Sequence, residues 1–376
     1  MTRTVIIRVD SGDEIGAGHV RRCLSVAAFL RINHLNPVFI CRQIVGHISY
    51  LIEQAGFEVV LLPPNESLNF SVFSENFSPA DFNRMGIDAH ESASKFLEQC
   101  PTMKSVAWVI TDHMLIRKPW QAVFKNKLGC KALAIDGVAD YPHDVSILID
   151  PQICENVKQK WFGLISDDCT VFSGPSSLPL SPSFASARKN AWVRNGSISR
   201  ILVCFGGTEA RETVHRSITV LLAWIDNSRA SRIEVDIAIS SSVNSVKKIR
   251  KLVNNDQRFH LHVGLNDLSG MMQKASIAIG SGGIMLWERC LLGLPAIAVP
   301  LAENQKKPIE RLEGKGAILA LRSVGKDYEI ELKKALDHLL KNPTVLTAMS
   351  ENAFKVMADW PATEGWLKII KGGCNE

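Results

Sequence analysis

Short runs rich in Val and Ile alternate with stretches of helical period from the start of the chain. Thr4 to Arg8, Pro37 to Cys41 and Val59 to Leu62 read as strands, with helices over His19 to Arg31 and Ile48 to Gln54 between them. Near-continuous apolar strands are those covered on both faces, and strands separated by helical segments make a parallel sheet. The rhythm continues through a helix at Ala89 to Glu98, a strand at Val106 to Thr111, a helix at Trp120 to Lys127 and a strand at Ala132 to Asp136. Leu62 to Gly86 shows no period and reads as a long loop near the sheet edge.

Prolines and serines between Ser173 and Ser199 interrupt the pattern, and a second β, α series starts at Arg200 to Phe205 and runs to Ala296 to Pro300. The chain of 376 residues also exceeds the roughly 250 to 300 at which one core stops growing. The expected fold class is therefore α/β: two Rossmann-like domains whose parallel sheets face across a cleft, with ligands at the carboxyl ends of the strands. The expected organisation is an N-terminal domain over 1–175, a linker over 176–199, a second domain over 200–345, and C-terminal helices over 346–376, the last crossing back to the first domain.

Composition narrows the function. A net charge of +5, with Lys and Arg spread along the chain, lacks the basic stripe of a nucleic-acid binder. No apolar run approaches the ~18 residues of a membrane span, and the opening MTRTVIIRVD lacks a signal-peptide layout, so a cytoplasmic protein without membrane insertion is expected. Nine scattered cysteines without a CxxC pair argue against zinc and thiol redox chemistry.

Three glycine turns carry the candidate chemistry. The first strand runs into DSGDEIGAGH, from Asp10 to His19, with Gly16 and Gly18 ahead of the helix. Such a turn brings backbone amides close to an anionic ligand. As a dinucleotide fingerprint it fails, because Arg21 stands where the third glycine belongs and Arg42, not an acid, follows the second strand. His19 at the helix start is placed where the helix end favours neutral imidazole, the form that accepts a proton; a capping histidine is the alternative reading.

In the second half, Gly206-Gly207-Thr208 and Ser281-Gly282-Gly283 follow strands, and paired glycines there suit a diphosphate. Glu288, five residues on, suits ribose hydroxyls, or pairs on the surface with Arg289. Asn304 and Gln305 supply amide groups for sugar hydroxyls or acetamido groups.

Taken together, IIRVDSGDEIGAGHVRRCLSVA, ITDHMLI, LVCFGGTEA, IAIGSGGIMLWERCLLGLPAIAV and AENQ resemble the UDP-2,4-diacetamido-2,4,6-trideoxy-β-L-altropyranose hydrolases of pseudaminic acid biosynthesis. The resemblance implies a GT-B architecture similar to MurG-type glycosyltransferases, with no metal or redox cofactor and a UDP-sugar as the partner molecule. It implies His19 as the catalytic residue, the Ser281, Gly282 and Gly283 loop at the diphosphate, Glu288 at the ribose, and Asn304 and Gln305 at the sugar. The candidate site further takes in Asp112 and His113 as supports of His19, Asp10, Gly16, Gly18, Arg22 and Met114 at the sugar, and Gly206, Gly207 and Thr208 at the nucleotide.

The chain departs from the family at Met114, where a tyrosine is usual, at Gly137 after Asp136, in the stretch after Gly174-Pro175, and at Glu209. The nucleotide half is thus kept and the sugar half altered. The expected activity is metal-independent, inverting hydrolysis of a UDP-linked diacetamido-trideoxyhexose. A glycosyltransferase on the same scaffold and a silent sugar-nucleotide-binding subunit are the alternatives.

Overall fold

The computed structural model describes residues 3–13, 15–65, 78–103, 105–206, 211–227, 232–239, 243–265 and 267–372. They divide into two compact units, Met1–Ser181 with Asp359–Glu376, and Pro182–Ala358.

The first unit runs β1 (Thr4–Arg8), α1 (Gly18–Ile32), β2 (Asn36–Arg42), α2 (Tyr50–Gln54), β3 (Glu58–Leu62), α3 (Pro79–Gln99), β4 (Val106–Thr111), α4 (Lys118–Leu128), β5 (Lys131–Ile135), β6 (Ile147–Asp150), α5 (Val157–Lys160) and β7 (Thr170–Ser173). Its seven strands are all parallel, in the order β3-β2-β1-β4-β5-β6-β7. The order reverses direction at β1 and β4, the switch point where open α/β sheets place their ligands. The loop from Asp10 to His19 leaves β1 there, and Asp112 and His113 leave β4 beside it.

The second unit runs α6 (Pro182–Arg188), β8 (Arg200–Val203), α7 (Arg211–Asn227), β9 (Glu234–Ile239), α8 (Val243–Val253), β10 (Phe259–Val263), α9 (Ser269–Lys274), β11 (Ile277–Ser281), α10 (Ile284–Leu291), β12 (Ala296–Val299), α11 (Lys306–Gly314), β13 (Ile318–Ala320), α12 (Tyr328–Lys341) and α13 (Pro343–Val356). Its sheet order is β10-β9-β8-β11-β12-β13, so the switch point lies between β8 and β11, the two strands that end in glycine turns. Arg194, fully buried, donates to the carbonyls of Met272 and Gln273 in α9 and of Leu292 just after α10, meeting the orphan acceptors of two helix ends with one guanidinium.

Helix α14 (Glu364–Gly372) belongs to the first unit. Trp366 is fully buried, donates from Nε1 to the Ser177 carbonyl at 3.0 Å and meets the Phe29 ring edge-on at 5.5 Å.

Three expectations are corrected. The loop expected to run to Gly86 gives way to α3 at Pro79, because Ser78 and Asp81 form a reciprocal capping box; residues 66–77 lie outside the described ones. Strands β6, β7 and β13 had no counterpart in the sequence pattern, since they are three or four residues long and no full helix separates β6 from β5. The segment expected as a linker over 176–199 contains α6, and the compact units part at 181/182 and 358/359.

Candidate active site

The β1 turn is built so that its helix can start abruptly. Gly16, at φ +78°, donates its N–H to Gly12 O at 2.7 Å, closing the loop on itself ahead of α1. Its left-handed backbone is open to glycine at little steric cost. Ala17, the residue before α1, supplies no side-chain cap, so the first amides of the helix are left to other partners.

In the first turn of α1, His19 reaches across to β4. Its Nδ1 lies 2.6 Å from Oδ1 of Asp112, whose carboxylate is fully buried, while the imidazole is 19% exposed. Arg22, one helical turn beyond His19 on the same face, grips the same carboxylate through Nε at 2.6 Å and Nη2 at 2.5 Å. Burial alone would raise the Asp112 carboxyl, but the charges of Arg22 and then His19, with their hydrogen bonds, outweigh it and hold it well below the usual carboxylate range. An ionised carboxylate only accepts, so Nδ1 of His19 carries a proton towards Asp112, and in the neutral imidazole the lone pair is on Nε2. The Nη2 of Arg22, 3.2 Å from Nδ1, is then a neighbour and not a donor to it.

Two further Asp–His pairs stand in the loops after β1, β4 and β5, and both have the opposite tautomer. His113 accepts the Leu115 N–H on Nδ1 at 3.0 Å, so its proton is on Nε2 and is donated to Asp10 Oδ2 at 3.0 Å. Asp10 is 2% exposed and also takes Arg8 and, at 2.7 Å, the Arg42 N–H. Burial, against the pull of Asp10, shifts His113 towards neutrality. His143 accepts from Gln121 Nε2 at 2.9 Å, Gln121 being oriented by the Asp144 N–H on its Oε1, and donates to Asp136 Oδ2 at 3.0 Å. Of the three imidazoles, only that of His19 has a ring nitrogen without a hydrogen-bond partner among the described residues.

Beneath them runs a network missed in the sequence. Asp88 on α3 accepts from Arg8, Arg42 and the Trp120 indole. The available signal was a charge at the end of each of two buried strands, Arg8 and Arg42, which demands an acid on a covering helix.

In the second unit, Gly283 has φ +89° and precedes α10 without a side-chain cap. Ser281 is buried, and its hydroxyl donates to Phe205 O. Gln305 Oε1 accepts the Gly282 N–H at 3.2 Å and that of Leu301 at 3.0 Å. A Cβ on residue 282 would stand 2.7 Å from that of Gln305, so glycine is what lets the two segments close together. Asn304 is exposed beside it, and Glu288 and Met114 are half-buried in their own units. Gly206, at φ +67°, ends the described part of the β8 turn; Gly207, Thr208 and Glu209 lie outside the described residues. Arg289, expected as a surface partner for Glu288, is instead buried and bonded to main-chain carbonyls. No described helix is long and apolar enough to cross a membrane.

Residues 201–360 match the glycosyltransferase family 28 C-terminal domain. The chain is 22% identical over 329 residues to the UDP-2,4-diacetamido-2,4,6-trideoxy-beta-L-altropyranose hydrolase of Campylobacter jejuni, covering 88% of this chain and 99% of that one. It is 23% identical over 209 residues, 56% of its length, to the spore coat polysaccharide biosynthesis protein SpsG of Bacillus subtilis, of which it spans 55%. Among solved structures, MurG of Acinetobacter baumannii shares the fold at TM-score 0.60 and 15% identity, over 98% of this chain and 99% of that one. The chain thus has the GT-B fold, matches a glycosyltransferase family 28 C-terminal domain over its second half, and resembles the UDP-diacetamido-trideoxy-altropyranose hydrolases.

Proposed function

We propose that the protein hydrolyses a UDP-linked diacetamido-trideoxyhexose at the anomeric carbon, without a metal and with inversion, in the cytoplasm. The observation that carries the reading is the His19–Asp112–Arg22 arrangement, which holds one imidazole by Nδ1 at the switch point and leaves Nε2 as its second ring nitrogen. In the proposed step a water oxygen attacks the anomeric carbon on the face opposite the diphosphate. Its proton passes to His19 Nε2, the carbon–oxygen bond to phosphate breaks, and UDP leaves with the electron pair. Asp112 stabilises the imidazolium, and the amides of Gly283 and of the uncapped first turn of α10 stabilise the leaving diphosphate. Asp10 and His113 hold the β1 and β4 loops in place; Glu288 takes the ribose, Asn304 reads the sugar, and Gln305, whose Oε1 is held by the Gly282 and Leu301 amides, offers the sugar its Nε2. The named activity of the Campylobacter relative supports the choice of water as nucleophile.

The match to a glycosyltransferase domain favours a second reading, in which an acceptor hydroxyl replaces the water. UDP release from the UDP-sugar alone, with proton NMR of the first-formed anomer, separates the two. Acceptor-independent turnover with inversion supports hydrolysis; release that begins only on adding an acceptor overturns it.

A further inference from the structure

Helix α10 carries a buried guanidinium on which the Glu288 carboxylate acts electrostatically, with desolvation the larger influence. Arg289 is 2% exposed, makes no salt bridge among the described residues, and is pushed down in pKa by burial. Its Nε donates to Met285 O at 2.9 Å and its Nη2 to Ser281 O, while Nη1 is buried with no hydrogen-bond partner among the described residues. That Nη1 lies 3.0 Å from where a Cβ on Gly280 would stand, so the group is pressed against the last two residues of β11, at the root of the Ser281 to Gly283 turn. Helix α10 begins at that turn without a cap, so its N-terminal dipole and the guanidinium place positive charge at the same point.

A neutral donor would serve Ser281 O equally well. A full charge taken out of water with no counter-ion in direct contact is costly and is retained where an opposite charge meets it. We infer that Arg289 is the fixed counter-charge for the diphosphate of the bound nucleotide, acting from beneath the glycine turn while the turn's amides make the direct contacts. This rests on the nucleotide reading of the same turn. Arg289 is accordingly a positioning residue: it sets how strongly phosphate is preferred and leaves recognition of base and ribose to other groups. Being buried, its charge is little screened by salt, unlike those of exposed Lys306, already paired with Glu303 at 2.6 Å, and Lys307.

The test is calorimetric titration of the full chain with UDP, UMP and uridine, for the parent, Arg289→Lys and Arg289→Gln. The expected result is that Arg289→Gln loses about tenfold or more in UDP affinity, less for UMP, and changes uridine affinity by less than about twofold, with Arg289→Lys restoring most of the preference. In the parent, the preference for UDP over uridine should change by less than about threefold between 0.05 and 0.5 M salt, a measurement independent of whether the variants fold. Equal losses for all three ligands, no loss at all, or a parental preference that collapses with salt overturns the inference while leaving the nucleotide reading intact. A parent that binds none of the three overturns both.

Discussion

Replacing Asp112 by asparagine tests the catalytic reading most directly, because shape is kept while charge and proton-accepting capacity are lost. The new side chain would present either an amide N–H to His19 Nδ1, driving the proton to Nε2 and abolishing the base, or an uncharged carbonyl. In both cases Arg22, with Nη2 3.2 Å from the imidazole, is left without its carboxylate. Two like charges about 4 Å apart at an effective dielectric near 20 repel by about 4 kcal/mol, so the imidazolium formed in the step is disfavoured by about that much. Arg22 is 20% exposed, and water screens part of this, leaving about 3 kcal/mol, or a fall in kcat of about 10² to 10³. Stability should drop by about 2 to 3 kcal/mol, since a buried pair is broken on one side. A continuous UDP-release assay at pH 7, alongside thermal melts and UDP titration, gives all three quantities. A folded, UDP-binding Asp112→Asn with kcat within about threefold of the parent would refute the assignment.

Gly283→Ala meets no neighbour within 4 Å, so its effect comes from φ +89° alone, a conformation costing a side-chain-bearing residue about 1 to 3 kcal/mol; UDP affinity should fall about tenfold, and an unchanged Kd by calorimetry would place the diphosphate elsewhere. Asp136 is pulled to about 2, burial raising it and the His143 hydrogen bond and Arg117 charge lowering it further. Because its folded value lies below the unfolded one, the pair contributes about 2 kcal/mol above pH ~4 and loses it as pH falls towards 2. Asp136→Asn should therefore be less stable at pH 7 and show a shallower decline between pH 4 and 2 in urea melts, and parallel profiles would contradict the linkage. Trp366→Ala removes a fully buried indole and its hydrogen bond to Ser177, a loss of about 3 to 5 kcal/mol; calorimetry showing the melting of both units unchanged would mean that α14 contributes nothing to the first.

The alternation of short Val- and Ile-rich runs with helical stretches was enough to locate both parallel sheets, because strands such as TVIIR and IAIGS are buried on both faces and carry no competing pattern. Strands β6 and β7 escaped for the converse reason: ILID and TVFS are four residues each, too short for any period, and are recognised only by the ladder they join. The glycine turns were legible because a strand followed by Gly and a helix is a local signal. The pairing of His19 with Asp112 was not, since 93 residues separate them and only the β1–β4 neighbourhood unites them. The opposite tautomers of His113 and His143 depend on a backbone N–H and on Gln121, contacts that no spacing rule encodes. Arg289 looked like a surface charge because helix position alone does not tell which face is buried.

The chain passes from the first unit into the second after Ser181 and returns after Ala358, so the second unit is an insertion within the first. On the ribosome, the sheet of the first unit is therefore made early, yet the helix bearing Trp366 arrives only after the whole insertion has been synthesised. At about 5 to 20 residues per second, this leaves the place later filled by the indole, between Phe29 and Ser177, open to water for about 10 to 40 s. The nascent first unit is a seven-stranded sheet waiting for its last covering helix, and its final consolidation marks the completion of the second unit as much as its own.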